Sequence, residues 1–385
     1  MSPRVDLDHA STSPLRPSAR RALRAWLDEE EAGTLHGDPG RIHHDGMVSR
    51  VAVEEAREQV AALLGARPRE VVFTSGATEA IAAASWGALR RDPDRGHVVL
   101  AAVEHSAVRQ WAERFPSCTV VGVDRTGRVD AGELLDAVRD DTALVHVQWG
   151  NHEVATRQPV HEVVAGCRER RVPVHVDAAQ AVGHEVVHFG DLGADLFSVS
   201  GHKFGAPTGT GALLVRRGSR FEPLLVGGDQ ERARRAGLEN LLGVVGLGAA
   251  AGELAGSLPD EIDQARRLTD RVRAWAATAD GVEVLGAPAD GSLPHLVCLG
   301  TEGVEPQPVL LGLDAAGIAA HSGSSCSSEA LEPSPVLEAM GVDAQRSLRV
   351  SVGWSSTDED VDRLLEVLPR VLAELRALRP DAGRD

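Results

Sequence analysis

Short apolar runs alternate with helical patterns through much of this 385-residue chain, and no other property of the sequence limits the choice of fold as strongly. Runs rich in valine and leucine predict strands at residues 70–74, 97–101, 119–123, 143–148, 173–177, 196–200 and 211–216. Helical patterns lie between them, for example at residues 79–89, 131–138 and 160–170. Strands that lack polar alternation are buried on both faces, which is typical of parallel sheets. The sequence therefore predicts an α/β fold with a mostly parallel central sheet covered by helices.

The second half of the sequence predicts a smaller α+β unit. Helical patterns cover residues 242–258, 262–277 and 358–378, and short strands are expected at residues 282–285, 295–299 and 347–352. The glycine-rich, basic stretch 227–237 predicts a loop. We therefore expect an N-terminal segment 1–15 that packs with the small domain, a large domain 16–255 and a small domain 256–385.

Charge and cysteine content exclude several classes of protein. The formal net charge is −17, from 40 Lys and Arg against 57 Asp and Glu. Nucleic-acid and anionic-membrane binders need a basic face, so neither kind of direct binding is expected. The four cysteines, at positions 118, 167, 298 and 326, form no CxxC pair, which argues against a zinc site and a disulfide framework. The polar start and the lack of an apolar run of about 18 residues predict a cytoplasmic protein without a membrane span.

Polar side chains follow several predicted strands, where ligands collect in sheets of this kind. Lys203 lies in a Gly-containing turn directly after an apolar strand. Most lysines are solvated surface charges, but a desolvated lysine is a nucleophilic amine that suits a Schiff base with an aldehyde cofactor. Asp177 ends another apolar strand. A buried aspartate needs a cationic partner such as a pyridinium, although a helix N-cap is the simpler alternative.

Two further segments are ambiguous when each is taken alone. The segment Ser75–Thr78 lies between a strand and a helix, where backbone N–H groups suit a phosphate and where ordinary hydroxyl capping is an equal explanation. His105 follows a strand, and either stacks on a cofactor ring or is a satisfied loop histidine. The order of these residues is more informative than any one of them. A phosphate loop, a stacking histidine, a ring-nitrogen aspartate and an amine-bearing lysine follow successive strands.

Four longer segments carry a resemblance to a known family: TSGATEA, HVDAAQAVGH, SGHKFGAPTGTGALLVRRG and HSGSSCSSEALEPSPVLEAMG. The chain resembles the cysteine desulfurases, class V aminotransferases of the pyridoxal-phosphate fold-type I group, over essentially its whole length. The resemblance implies pyridoxal 5'-phosphate as the cofactor. It implies that Lys203 binds the aldehyde, Asp177 pairs with the pyridine nitrogen and His105 stacks on the ring. The other implied cofactor contacts are Gln180 and His152 near the ring hydroxyl, and Ala77, Thr78, Ser200 and His202 at the phosphate.

The same resemblance assigns a role to Cys326, which lies in a small, polar, Ser-rich segment. It implies that the Cys326 thiolate attacks the substrate sulfur and becomes a persulfide, whereas a buried structural cysteine is the alternative. The implied reaction converts L-cysteine to L-alanine, with His105 as a proton shuttle. A homodimer is implied, in which loop 227–237 completes the partner's site. The sulfur then passes to an acceptor protein, in iron–sulfur assembly, tRNA thiolation, DNA sulfur modification or the synthesis of a small metabolite.

Four positions depart from the family pattern, and one of them is Asp38, which replaces the asparagine of a Gly-Asn-Pro motif at residues 37–39. His152 replaces an asparagine, Leu238 replaces a phosphate-binding threonine, and Trp354 replaces the arginine expected to hold the substrate carboxylate. An indole has one donor and no charge, so another cation must bind the carboxylate or the substrate differs from free cysteine. The candidate cations are Arg41, Arg232, Arg235 and a histidine. Selenocysteine lyase, epimerase and carbon–sulfur lyase activities therefore remain alternatives, as does a scaffold that binds the cofactor weakly.

Overall fold

The computed structural model describes residues 4–323 and 333–378. Its strands are β1 (Val5–Asp6), β2 (Val71–Thr74), β3 (His97–Ala101), β4 (Ser117–Val121), β5 (Thr142–Gln148), β6 (Val174–Asp177), β7 (Leu196–Ser200), β8 (Gly211–Val215), β9 (Val282–Leu285), β10 (Leu296–Thr301), β11 (Ile318–Ala319) and β12 (Ser347–Ser351). Its α-helices are α1 (Pro17–Glu31), α2 (His44–Leu63), α3 (Ala77–Arg91), α4 (Ser106–Ala112), α5 (Ala131–Asp136), α6 (Val160–Glu169), α7 (Phe189–Leu192), α8 (Gln230–Ala233), α9 (Leu241–Ala276), α10 (Pro306–Ala315), α11 (Pro335–Ala339) and α12 (Asp358–Ala377).

The central sheet has the strand order β2-β8-β7-β6-β5-β3-β4. Strands β7, β6, β5, β3 and β4 run parallel to one another, and β8 is antiparallel to both β7 and β2. The predicted α/β fold with a mostly parallel sheet is therefore confirmed. The parallel strands bring their carboxyl ends to one edge of the sheet, so the polar residues that follow them are brought together there.

Helices cover both faces of this sheet because successive residues of a strand point to opposite sides. In β3, Val98 and Leu100 pack with apolar residues of α3 and α4. Val99 and Ala101 of the same strand belong instead to the larger core cluster, which includes residues of α2, α6 and α9. Burial on both faces explains why these strands read as continuous apolar runs.

A second, smaller sheet has the antiparallel order β12-β10-β9. Its apolar side chains share a core cluster with α12 and the second half of α9, as shown by Val297, Leu348 and Leu364. Strand β1 pairs in parallel with β11, and Leu7 belongs to the same cluster. The N-terminal segment thus packs on the smaller sheet before the chain enters the larger one.

Helix α9 runs from Leu241 to Ala276 as one element, so the expectation of two helices separated near residue 260 is wrong. Pro259 lies inside the helix and removes one backbone donor. Packing holds the helix on both sides of this proline, since Leu254 belongs to the core cluster of the large sheet and Leu268 to that of the small sheet. The proposed domain boundary at residues 255 and 256 falls inside this helix and stays a prediction.

The same helix meets the length and hydropathy requirements of a membrane span, which the sequence analysis had not anticipated. Half of its apolar window is buried inside the protein. Leu247, Ala250 and Leu254 are completely or almost completely buried, and the helix packs against α1 and α2. These contacts make α9 a core helix of this fold.

Two histidines are buried on neighbouring strands of the large sheet, and their burial predicts that the fold loses stability in acid. His146 Nδ1 and His175 Nδ1 lie 2.9 Å apart, and both side chains are completely buried. Burial lowers the pKa of His146 to about 3 and holds the pKa of His175 well below its usual range. The unfolded chain therefore binds more protons than the folded one below about pH 6.5, and stability is lost as the pH falls from there toward 3.

We expect each of these histidines to cost about 1.4 kcal/mol of unfolding free energy for every pH unit below 6.5. Urea unfolding at pH 7.5 and pH 5.5 measures the loss. His146→Gln replaces one titrating group with a neutral side chain. This variant should be less stable at pH 7.5, but its unfolding free energy should differ less between pH 7.5 and pH 5.5. Equal urea midpoints of the original protein at both pH values would contradict the prediction.

Candidate active site

A cavity of about 500 Å³ opens at the carboxyl edge of the parallel strands. It lies where β5, β6 and β7 end and α3 and α4 begin. All of the predicted site residues in the described part of the chain line it: Ala77, Thr78, His105, His152, Asp177, Gln180, Ser200, His202 and Lys203. The residues that the sequence places at successive strand ends thus share one cavity, whereas Cys326 lies outside the described residues.

Lys203 ends the short 3₁₀ turn Gly201–Lys203 that follows β7, and it is the only lysine in the sequence. Its Nζ donates hydrogen bonds to the backbone oxygens of Ala10, at 2.5 Å, and Ser11, at 3.0 Å. Burial and, next, the positive charge of Arg349 lower the pKa of Lys203 to about 8. A substantial fraction of neutral amine is therefore present near neutral pH, which a nucleophile or a base requires.

Asp177 is the last residue of β6 and is buried in the cavity wall. Its Oδ1 accepts hydrogen bonds from the Ser198 hydroxyl at 2.8 Å and from the Ala179 backbone N–H at 3.1 Å. Burial raises the pKa of this carboxyl. In the described ranges, no lysine or arginine forms an ion pair with Asp177, although a buried carboxylate is stabilised by a cation. A protonated pyridine nitrogen fits that requirement.

The first turn of α3 faces the same cavity through Gly76, Ala77 and Thr78. Among the described residues, no side chain makes a capping hydrogen bond at the start of this helix, and open space surrounds the position that a Cβ of Gly76 would occupy. The N–H groups of an uncapped first turn, together with the helix dipole, bind anions such as phosphate. Ser200 and His202 line the same cavity, with Ser200 Oγ 3.2 Å from His202 Nδ1. The residues present therefore fit the phosphate of pyridoxal 5'-phosphate as well as its ring.

Gln180 is held in one orientation by residues from distant parts of the chain. Its Oε1 lies 3.1 Å from His295 Nε2, and its Nε2 donates to the Ala10 backbone oxygen at 2.9 Å. Because one amide N–H remains after these bonds, Gln180 can still donate to a ring hydroxyl in the cavity. His295 stacks on His184 with ring centroids 3.6 Å apart, which fixes this support.

Arg349 is a residue of the cavity that the sequence patterns did not identify. It lies in β12, lines the cavity and is 1% exposed. Its Nη1 donates to the His152 backbone oxygen at 2.8 Å, and its Nη2 donates to Asp8 Oδ1 at 2.9 Å and Ser11 Oγ at 2.8 Å. Its Nε has no hydrogen-bond partner among the described residues. The sequence feature that could have identified Arg349 is a charged residue in the middle of the otherwise apolar strand SLRVS.

Trp354 does not line this cavity, so its substitution for an arginine removes no cation from the described site. The indole Nε1 donates to the Pro14 backbone oxygen at 2.9 Å, and the Arg16 guanidinium lies 5.9 Å from its ring centroid. The three arginines named as substitute cations do not line the described cavity either, although Arg235 pairs with Glu79 at its wall. Arg41 pairs with Asp38, and Arg232 with Glu54.

The three described cysteines differ in exposure. Cys167 and Cys298 are buried, and burial raises the pKa of Cys167 to about 12 and that of Cys298 still further above its usual value. The strand and helix patterns around the three cysteines predict that all of them are core residues, and this prediction is wrong for Cys118, which is exposed on the edge strand β4. Its position alternates with that of the inward-facing residues of the strand, which explains the exposure.

The chain matches the family model described as Aminotransferase class-V over residues 5–364. It is 37% identical to the cysteine desulfurase IscS of Dictyoglomus turgidum, over 99% of this chain and 97% of that protein. It is 39% identical to the cysteine desulfurase IscS of Methanosarcina thermophila, over 98% of this chain and 94% of that protein. The length and position of these matches leave no large part of the chain unaccounted for.

Solved structures show the same fold. A NifS-like protein superimposes with a TM-score of 0.88 at 29% identity, covering 96% of this chain and all of the other. A structure of SspA in complex with cysteine superimposes with a TM-score of 0.78 at 27% identity, covering 90% of this chain and 98% of the other. On the family match, the full-length relatives and the shared fold, the chain belongs to the aminotransferase class-V family, whose members generally use pyridoxal 5'-phosphate.

Proposed function

We propose that this protein is a cysteine desulfurase that uses pyridoxal 5'-phosphate to convert L-cysteine to L-alanine and passes the sulfur to Cys326 as a persulfide. The observation that carries the proposal is the convergence of one buried amine, one buried carboxylate, an uncapped helix N-terminus and a buried guanidinium on a single cavity. Relatives named as cysteine desulfurases, similar over nearly the whole chain, support it.

The described residues divide the work of holding the cofactor. Asp177 would hold the pyridine nitrogen, Gln180 the ring hydroxyl and His105 the ring face. The phosphate would be held by residues of the α3 N-terminus, of the end of β7 and of the turn after it: Ala77, Thr78, Ser200 and His202. When bound, the cofactor supplies an electron sink next to the substrate Cα. Lys203, with a pKa near 8, is the base that takes the Cα proton.

We further propose that Arg349 binds the substrate carboxylate. The guanidinium is buried at the cavity wall, carries an unpartnered Nε–H and has Asp8 as its only carboxylate partner among the described residues. A second carboxylate at this position would gain charge-assisted hydrogen bonds from a guanidinium that is almost completely buried. Because Trp354 lies outside the cavity, it no longer favours a substrate other than cysteine.

Sulfur transfer follows from the chemistry of a thiolate. The Cys326 thiolate forms an S–S bond to the substrate sulfur while the substrate C–S bond breaks. The electron pair of that bond remains with carbon, which takes up a proton and leaves as alanine. One substrate thiol and one protein thiol thus yield alanine and one protein persulfide, with no external oxidant or reductant.

The test is incubation with L-cysteine, followed by detection of alanine and of a 32-Da addition on the peptide containing Cys326. We expect Cys326→Ser to lower alanine formation by about 100-fold or more, because a hydroxyl is a far weaker nucleophile toward sulfur. The matched control is Cys118→Ser, which changes an exposed cysteine on the far edge strand and should leave the rate within about twofold. Equal rates for Cys326→Ser and the unmodified protein would remove Cys326 from the mechanism.

We also propose a cytoplasmic homodimer that hands sulfur to an acceptor protein. Loop 227–237 contains left-handed residues at Glu231, Arg232 and Ala233, in agreement with the expected irregular loop. Glu231 is anchored by two hydrogen bonds of 2.7 Å from Arg57. Val226 and Leu238 beside the loop are largely exposed apolar side chains, which a second copy of the chain would cover. The acceptor pathway is not part of this proposal.

A further inference from the structure

Two stacked histidines, His184 and His295, lie directly behind the cavity wall. Their rings are nearly parallel, with centroids 3.6 Å apart and planes inclined by 10°, and both side chains are buried. Neither histidine lines the described cavity, but each contacts a residue that does. His295 Nε2 lies 3.1 Å from Gln180 Oε1, and His184 Nε2 lies 3.2 Å from the Lys203 backbone oxygen. The pair therefore supports two residues of the proposed cofactor site.

The hydrogen bonds of Gln180 determine where the proton of His295 is. The Ala10 backbone oxygen can only accept a hydrogen bond, so the Gln180 atom that lies 2.9 Å from it is the amide nitrogen. The amide oxygen of Gln180 therefore faces His295 Nε2, and this nitrogen must carry the proton. No acceptor competes at His295 Nδ1, which has no hydrogen-bond partner among the described residues. His295 is thus a donor to Gln180.

The surroundings of His295 keep it neutral. Burial is the largest of the causes that hold the pKa of His295 well below its usual range. The positive charges that nearby groups carry when protonated act in the same direction, and these groups are His184, Arg349, His9 and Lys203. A neutral imidazole with its proton on Nε2 can donate one hydrogen bond without leaving a buried charge. The donor is therefore present throughout the neutral and alkaline range.

The orientation of the Gln180 amide decides what this side chain offers to a ligand. In the observed orientation, one amide N–H remains after the bond to Ala10, and Gln180 lines the cavity. Rotation of the amide by 180° would place its oxygen against the Ala10 oxygen and its nitrogen against the N–H of His295. Both hydrogen bonds would be lost, and an acceptor would replace the remaining donor. The bond from His295 thus stabilises the orientation in which Gln180 is a donor.

We propose that His295 is a positioning residue, which donates to Gln180 and thereby directs the remaining amide N–H to the ring hydroxyl oxygen of bound pyridoxal 5'-phosphate. His184 holds the plane of this donor through the ring stack. His295 directly precedes β10, so a residue at the start of a strand of the smaller sheet sets a hydrogen bond in the cavity of the larger one. This inference rests on the proposed function, in which Gln180 holds the ring hydroxyl.

The first measurement follows the visible spectrum of the bound cofactor against pH and needs no turnover. One proton is held between the ring oxygen and the Lys203 nitrogen bound to the cofactor, and its loss changes the absorbance. A hydrogen bond to the ring oxygen favours the form without this proton, because that form concentrates negative charge on the oxygen. We expect the midpoint to rise by about 0.5 pH unit or more in His295→Phe, which keeps a stacking ring but has no donor. His295→Gln restores an N–H of similar reach and should return the midpoint toward its original value.

The second measurement is titration of the apo protein with pyridoxal 5'-phosphate. We expect the dissociation constant to rise about 10-fold in His295→Phe, because a hydrogen bond to a charged oxygen is weakened. The same substitution in a Gln180→Leu background should have no further effect, since His295 acts only through that amide. The matched control is His146→Gln, which changes a buried histidine that does not line the cavity and should leave both values unchanged.

The outcomes separate this inference from the proposed function. If the unmodified protein binds the cofactor, an unchanged midpoint and dissociation constant in His295→Phe would overturn the role of His295 alone. An equally large effect of His295→Phe in the Gln180→Leu background would also overturn it, because the loss would then be a general structural one. His295→Leu, which is smaller and also has no donor, tests the same expectation if His295→Phe does not fold. An unmodified protein that does not bind the cofactor at Lys203 would instead overturn the proposed function.

Discussion

Lys203→Ala is expected to abolish covalent cofactor binding and to lower kcat for alanine formation by about 1000-fold or more, since it removes both the nucleophilic amine and the base. Among the described residues, the buried Nζ donates hydrogen bonds to the backbone oxygens of Ala10 and Ser11, so its loss leaves two uncharged acceptors without this donor. The variant should therefore fold, which thermal unfolding can verify. Because the sequence contains no other lysine, borohydride reduction should add pyridoxyl mass to a single side chain.

The control for this experiment is a lysine placed on the surface. Arg91 is exposed near the end of α3, far from the cavity lining. Arg91→Lys in the Lys203→Ala background restores an amine to the protein but leaves it solvated. We expect no stoichiometric reduction product on residue 91 and no recovery of activity. Equal labelling at residue 91 would mean that burial after β7 does not select the reactive amine, and the site assignment would then be wrong.

Arg349→Ala is expected to lower kcat/KM for L-cysteine by about 100-fold, mainly through KM. Removing one member of a buried charged hydrogen-bonded pair costs about 3 kcal/mol, which corresponds to this factor. Arg349→Lys should recover little, because an ammonium cannot reproduce the planar donors that reach Asp8, Ser11 and His152. Steady-state kinetics and titration with a cysteine analogue that lacks the carboxylate separate binding from chemistry.

Trp354→Phe is the matched variant for the arginine experiment. It removes the hydrogen bond to the Pro14 backbone oxygen but changes no residue of the cavity lining. We expect a loss of about 1 kcal/mol in unfolding free energy and a KM within about twofold of the original. A large rise in KM for Trp354→Phe together with a normal KM for Arg349→Ala would reverse the assignment of the carboxylate site.

Local sequence patterns were sufficient to predict the strands and the residues that follow them. Strand β7 was predicted at residues 196–200 and is observed there, because five consecutive residues buried on both faces leave a continuous apolar signal. Strand β4 was placed two residues late, since an edge strand with alternating exposure has a weaker boundary. Helix α9 was divided at Pro259, because local preference cannot register the packing that holds both halves.

The arginine of the site could not be chosen in the same way. Both Arg349 and Trp354 lie in one short segment, and the family pattern drew attention to the second. Pairing of β12 with β10 buries Arg349, and a contact across 341 positions joins it to Asp8. Long-range pairing of this kind leaves no periodic pattern in the sequence. The sequence therefore showed that an arginine is absent at position 354, but it could not show that the fold brings Arg349 to the cavity.

By itself, the sequence determined which reactive side chains follow successive strands along the chain. Thr78, His105, Asp177 and Lys203 each come after an apolar run, and such runs are a local property of the sequence. Only the tertiary structure decided what those groups can do. The lowered pKa of Lys203, the single orientation of Gln180 and the burial of Arg349 at the cavity depend on neighbours from other elements. Protonation and hydrogen bonding respond to the three-dimensional surroundings of an atom, which the order of residues does not contain.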